Sequence, residues 1–333
     1  SWSTGISSDN QIFGNGSYEY DKNSIWSNVG DMVNLGWETD IHAVLISKSK
    51  FSWKTDFNIS INTNKIKSLT GELDESGKGL IHSDAPTVSR TGFKRRVWYL
   101  ADYAGVDPQT GVPMIYVVDK EEYEETGNTN RLKDSKGKDS LTYATKTNLE
   151  ENRFYQNNKS GDPSFYGGLK NTLKYGHFDL SFFIAFSGGN YIMDYDRQIS
   201  TAPNETRMVL AEVMDKAWKR KGDIAEYPQI RARGTYIING TPVTGFDNSD
   251  VYFNRELYKG DYLRLRNIEL GYNLPDFKLK SYHLSSLRIY LQASNVFTWT
   301  KYPGFDPEGV EFVYYSSIIP QVRSIVFGLN ASF

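Results

Sequence analysis

The chain has 333 residues, 39% of them hydrophobic, and its 38 basic and 40 acidic side chains leave a formal charge of -2. No run approaches the ~20 apolar residues of a membrane-crossing helix, no basic excess marks a nucleic-acid footprint, and the lack of cysteine removes disulfide frameworks, thiol nucleophiles and Cys-ligated metals. Aromatic residues reach 14%, with 23 Tyr, 18 Phe and 7 Trp, which suits either interfacial girdles or a carbohydrate-binding surface.

In chain order, residues 1–31 are polar, read as a loop segment, and open without the basic and apolar regions of a signal peptide. Val33, Leu35, Trp37, Thr39, Ile41, Ala43 and Leu45 then alternate; after a tight turn over 47–50 the stripe resumes as Phe51, Trp53, Thr55, Phe57, Ile59 and Ile61, which predicts a hairpin. Segments 93–104 and 112–119 are two further strand candidates, although the turn Gly105-Val106-Asp107-Pro108 and the Gly/Lys/Asp-rich stretch 120–150 suit a loop equally well. A strand over Phe165 to Tyr175 leads through Gly176-His177 into Phe178, Leu180, Phe182, Ile184 and Phe186.

The long polar connection 190–260 contains one helical stretch, Glu205 to Lys219, with Met208, Val209, Glu212 and Val213 at helix spacing. Strand 261–273 changes phase between Leu265 and Ile268, which a bulge near Arg266-Asn267 would repair. Leu287, Ile289, Leu291 and Ala293 follow, then a second polar connection, 298–322. The last strand carries Ile325, Phe327, Leu329, Ala331 and the terminal Phe333 on one face, the pattern of an outer-membrane barrel strand read by barrel assembly.

None of these stripes contains a charge, whereas the interleaved positions carry Glu38, Asp40, Lys54, Asp56, Asp179 and Arg288. A charge facing lipid costs about 2–4 kcal/mol at mid-bilayer. A soluble β-sandwich would alternate in the same way, but short turns on one side and long connections on the other describe a transmembrane barrel with its short side periplasmic. With Phe333 periplasmic, alternation of direction demands an odd number of strands over 32–333, and the segments above give about nine. Nine strands in a bilayer would leave two edges of unpaired backbone groups, so further strands must come from elsewhere.

Three ordered motifs resemble the SusC/RagA class of TonB-dependent outer-membrane transporters of the Bacteroidetes. They are Gly161-Asp-Pro-Ser-Phe-Tyr-Gly-Gly-Leu-Lys-Asn-Thr-Leu-Lys-Tyr175 with Phe178-Asp-Leu-Ser181, Asp261-Tyr-Leu-Arg-Leu-Arg-Asn-Ile-Glu-Leu-Gly-Tyr-Asn-Leu-Pro275, and Leu287 through Asn295-Val-Phe-Thr-Trp-Thr-Lys-Tyr-Pro-Gly-Phe-Asp-Pro-Glu308. The hairpin containing Asn34-Leu-Gly-Trp-Glu38 and Phe51-Ser-Trp53 extends the likeness over most of 28–333. One departure is Trp218-Lys-Arg-Lys-Gly-Asp223, where relatives tend to have Pro before the Gly-Asp.

The resemblance implies an all-β chain, the C-terminal portion of a 22-stranded antiparallel transmembrane barrel with long extracellular loops and one short loop helix. Residues 1–31 would be an extracellular loop, 32–333 barrel strands and loops, and the plug, TonB box and signal peptide would lie outside the chain. It further implies outer-membrane import of oligosaccharides or oligopeptides under a SusD-like lipoprotein lid, with TonB, the remaining barrel and plug, and outer-membrane lipid as partners. The alternative is a structural or export-machinery component that keeps a SusC-type barrel; a soluble secreted β-sandwich hydrolase or lectin is a third reading.

Catalytic chemistry is sparse. His42, His82, His177 and His283 form no His-Glu-x-x-His pair, and neither a Gly-x-Ser-x-Gly elbow nor a Walker loop occurs, so no enzyme activity and no cofactor are expected. Asp194 with Asp196, and Asp247 with Asp250, have oxygen-ligand character for Ca²⁺ but lack the spacing of a dedicated site and read as solvated acids. Lys219-Arg220-Lys221 reads as a solvated loop or as a contact with lipopolysaccharide or the lipoprotein. Trp299, Tyr302, Phe305, Tyr314 and Tyr315 are candidates for ligand or lid contact, with the outer aromatic girdle as the alternative.

Overall fold

A computed structural model describes residues 2–6, 25–70, 73, 77–79, 86–201, 209–231, 235–238, 240–244, 253–275, 284–308 and 320–333. Its main feature is an eight-stranded sheet in which each strand is hydrogen-bonded to the next in chain order. The strands are β1 (Trp2–Ile6), β2 (Ile25–Ser47), β3 (Phe51–Leu69), β4 (Phe165–Tyr175), β5 (Phe178–Gly188), β6 (Tyr262–Asn273), β7 (Ser286–Thr300) and β8 (Ser324–Ser332).

Register shows why the sequence alternates. Trp53, Leu173, Leu180, Leu270, Leu291 and Phe327 stand directly opposite one another from β3 to β8, and Phe57, Leu169, Ile184, Leu265 and Phe297 form a second row. Stripes recognised strand by strand therefore merge into one apolar face. The phase change in β6 is a bulge: against β5 the register shifts between Phe183 and Ile184, which leaves Arg266 unpaired, and β7 answers with a shift at Asn295 and Val296, Asn295 having φ 52°. Leu263 and Leu265 thereby stay on the same face as Ile268 and Leu270.

Two tight turns close one end of the sheet, the first through paired backbone bonds between Lys48 and Phe51, the second at Gly176-His177, where Gly176 has φ 57°. β4 and β5 have 11 residues each, the length of a tilted membrane-crossing strand, about 9–11. β2 and β3, at 23 and 19 residues, run well beyond that band.

The chain divides into two compact units. One comprises 36–62, 162–194 and 258–333 and holds most of the sheet. Its large apolar side chains are on the outside: Trp37 is 59% exposed, Leu291 50% and Phe327 71%. The other comprises 1–35, 63–161 and 195–257 and has an ordinary core in which Ala101, Ile115, Ala144, Leu149 and Phe253 are buried together. Among its described residues are four short α-helices, α1 (Lys120–Thr126), α2 (Lys146–Glu151), α3 (Tyr195–Thr201) and α4 (Ala211–Lys216).

Three expectations are corrected. Segments 93–104 and 112–119 do not join the large sheet; Val97–Ala101, Tyr103–Val106 and Pro113–Tyr116 are short strands of two separate three-stranded sheets. Val97, Trp98, Leu100 and Ala101 are nearly all buried in succession, a run covered on both faces rather than an alternating one. Seven of the nine expected strands are in the sheet, still an odd number over 32–333, and the eighth is β1. Residues 1–31 are thus not all loop, because 2–6 and 25–30 pair through backbone bonds that need no apolar stripe. The single loop helix over 205–219 is realised as α4, with 202–208 outside the described residues. The other helices have six or seven residues, too few to show a 3.6-residue period, although their caps are visible in Asp119 and Thr145.

Candidate functional site

At the end of the sheet that carries the long connections, the segment after β7 folds back on the polar face of β6. Tyr302 is buried and meets Tyr258 edge to face at 6.3 Å. A Cβ on Gly304 would run into the Tyr302 ring, so the glycine is what lets the turn close over it. The following Phe305 is 77% exposed, and beyond it the chain turns inward at Asp306.

Asp306 organises this turn. Its Oδ1 accepts from Arg264 Nη2 at 2.5 Å and from the Glu308 N–H at 3.0 Å, while Oδ2 accepts the Gln321 N–H at 3.2 Å. Arg264 Nη1 also lies 3.1 Å from Glu308 Oε2, and Arg266 pairs with Glu308 Oε1. Arg264-Leu-Arg266 and Asp306-Pro-Glu308 are therefore two halves of one latch: residues two apart on a strand share a side, and opposite charges with matched spacing meet. Through Gln321 the same carboxylate ties the returning limb before β8. Burial pushes the Asp306 carboxyl up, but Arg264 and the two backbone N–H groups outweigh it and hold the group below the usual carboxylate range. Arg264, Phe305, Asp306, Gln321 and Arg323 line a polar cleft of about 290 Å³.

Trp299 stands opposite Leu263 on the apolar face, with its ring edge to face on Phe297 at 4.5 Å, so it lies away from this cleft. Tyr302 is a buried support, Phe305 is exposed beside the cleft, and Tyr314 and Tyr315 lie outside the described residues. Asp194 is buried and Asp196 opens α3; Asp247 and Asp250 lie outside the described residues, and among the described ones no group of three or more His, Asp or Glu is placed to hold a metal. Ile325, Phe327 and Leu329 occupy β8, and Phe333 follows its end. The latch residues were inside motifs visible in the sequence; the signal that marks them is the matched i, i+2 spacing of opposite charges across a long connection.

In the second unit, Trp218–Asp223 is fixed although it lacks the proline that the resemblance leads one to expect. The Asp223 carboxylate accepts the N–H groups of Lys219 and Arg220, Gly222 has φ 96°, and the Pro108 carbonyl accepts both Gly222 N–H and Trp218 Nε1–H.

An antiparallel meander with one uncharged apolar face and one polar face, and with long connections at one end, is a partial transmembrane β-barrel. Comparison with known proteins agrees. The chain is 28% identical to TonB-dependent receptor P39 of Formosa agariphila over 93% of its own length and 31% of that protein. It is 26% identical to TonB-dependent receptor SusC of Bacteroides thetaiotaomicron over 92% of the chain and 27% of SusC. The solved RagAB peptide transporter superposes with a TM-score of 0.73 at 23% identity, over 93% of this chain and 30% of that one. No protein-family model matches. The chain is a homologue of the TonB-dependent receptors, SusC among them, and spans under a third of the length of these relatives. The relatives are receptors and transporters rather than enzymes.

Proposed function

We propose that this chain supplies part of the wall and extracellular loops of an outer-membrane importer that takes up oligosaccharides or oligopeptides, energised through TonB and capped by a SusD-like lipoprotein. The observation that carries this reading is the apolar face itself: one uncharged row runs across six strands and a second across five, and none of their members is buried, Leu270, Leu291, Phe297 and Phe327 being exposed outright. In this reading lipid covers those rows, the tight turns are periplasmic, and the long connections reach the outside. The open edges of β1 and β8 pair with strands outside this chain, since unpaired backbone in hydrocarbon costs several kcal/mol per group. β8, with Ile325, Phe327, Leu329 and Phe333, serves as the strand recognised during barrel assembly.

The polar cleft held by Arg264 and Asp306, with Phe305 at its edge, supports a ligand- or lid-facing role for the loop after β7. The test is uptake by cells carrying the full-length receptor, supplied with labelled oligopeptides or labelled oligosaccharides, with and without functional TonB. TonB-dependent uptake of one class, and recovery of a surface lipoprotein with the purified receptor, are expected. Uptake of neither class by a receptor correctly inserted in the membrane would favour the structural or export reading.

A further inference from the structure

On the apolar face, at the same end of the sheet, the described side chains enclose a second groove, of about 680 Å³. It is lined by Phe186 and Leu263, paired across β5 and β6, and by Phe297 and Trp299 of β7. Two cations, Lys259 and Lys301, line it as well, and both are exposed. Elsewhere the stripes of this face contain no charge, so an apolar slot flanked by two ammonium groups is a local exception that needs its own account.

Asp261 also lines the groove, and it bears on the charge balance. Its Oδ1 accepts the Gly189 N–H at 2.7 Å and its carbonyl accepts the Thr300 hydroxyl at 2.8 Å, so it acts as a strut joining the ends of β5, β6 and β7. A Cβ on Gly188 would meet both the Phe165 ring and this carboxylate, which is why the strut can approach so closely. With Asp261 counted, the groove remains cationic by one charge. Phe165 and Tyr262 add aromatic surface, and Ser187, Thr298 and Thr300 add hydroxyls at the rim, so the lining is mainly apolar with a few polar groups and suits a molecule with one long apolar part better than a free sugar. An amphiphile meets this description, with its chain on the aromatic and aliphatic surface and its anion at the lysines.

We infer that this groove is a site for a phosphorylated lipid of the surrounding leaflet, the acyl chain lying on Phe186, Leu263, Phe297 and Trp299 and the phosphate taken by Lys259 and Lys301. The inference rests on the membrane reading above and deepens it from general lipid contact to one headgroup class. A bound lipid here would make the rim of the barrel a defined boundary beside the loop that Asp306 fastens.

The test is native mass spectrometry of the full-length receptor in detergent, titrated with a diacyl phosphatidate and, as uncharged control, the matching diacylglycerol. The unmodified receptor binds the phosphatidate in preference. Each lysine near an anionic headgroup is worth about a factor of five, so Lys259→Ala with Lys301→Ala weakens phosphatidate binding roughly 30-fold. Lys136→Ala with Lys138→Ala, which removes two exposed cations elsewhere, leaves it unchanged, and Lys259→Arg with Lys301→Arg retains it. Equal binding by the Lys259→Ala, Lys301→Ala receptor, or equal binding of both lipids by the unmodified one, overturns the site while the barrel stays in the membrane. Recovery of the receptor in water without detergent overturns the membrane reading instead.

Discussion

Asn171 occupies an apolar-face position between Thr55 and Phe182, yet it is buried and accepts a hydrogen bond from Trp53 Nε1 at 2.7 Å. An indole N–H facing hydrocarbon needs such a partner, and side-chain hydrogen bonds in membranes are worth roughly 0.6–2 kcal/mol. Asn171→Leu should lower stability by that amount in urea unfolding of the detergent-solubilised receptor, and the same change made in a Trp53→Phe background should cost less. Arg264 makes a different kind of demand. It and Asp306 are both almost fully buried, and removing one partner of a buried pair costs about 3–5 kcal/mol. Arg264→Ala should therefore release 301–308, seen as faster hydrogen exchange there, while exchange in β4 and β5 is unchanged. The pH dependence has a defined sign. The folded Asp306 carboxyl lies below its ordinary value of 3.8, so its contribution is complete above that value and is lost as pH falls through the folded one. The loop should stay protected at pH 7 and at pH 5, and protection should fall only below about pH 4.

Among the elements, β6 shows how a bulge absorbs one extra residue and preserves a face. Deleting Arg266 would leave Leu265 and Ile268 two residues apart, so unbroken alternation would keep Leu263 and Leu265 on the apolar face without a bulge; the expected result is that the heat-modifiable barrel band on gels is retained, whereas deleting Ser181, in the regular part of β5, turns Phe178 and Leu180 to the polar side and loses it. Pairing of β7 with β8 rests partly on Gly328, opposite Tyr290, where any Cβ would enter the Tyr290 ring. Gly328→Val should destabilise the barrel by about 1–3 kcal/mol, and Tyr290→Ala should relieve most of that in a double-mutant cycle. The strands, the β6 bulge and the apolar face were legible in the sequence because lipid-facing rows exclude charge and period-two alternation survives a single bulge. The segments 97–101 and 113–116 were not, because strands buried on both sides lose alternation and read as barrel strands or as loop. α1, α2 and α3 are too short to display a period. Of the site, Phe305 was visible as an aromatic in a polar loop, but Trp299 could not be placed on the apolar side without register, and the latch joins residues 42 apart in sequence.

The whole chain combines two ways of using apolar side chains. The unit with Ala101 and Ile115 buries them, as water requires; the unit with β4 to β8 displays them. A positive charge placed on the outer rows, as in Phe182→Arg or Leu270→Lys, should cost about 2–4 kcal/mol at mid-bilayer and reduce the folded fraction in the membrane. Ser181→Arg, one residue away but on the polar side, should be tolerated. Detergent and denaturant should likewise separate the units: removal of detergent should aggregate the receptor through its strands without first disrupting the core around Leu149. The fastening of the loop after β7 has a further consequence for descent with modification. Because Asp306 and Glu308 hold its outgoing limb and Gln321 its returning one, insertions between 308 and 320 leave every anchor in register, whereas an insertion between 301 and 306 dislodges them all. Differences in length among related chains should accordingly accumulate in that short interval, while its two flanks resist change.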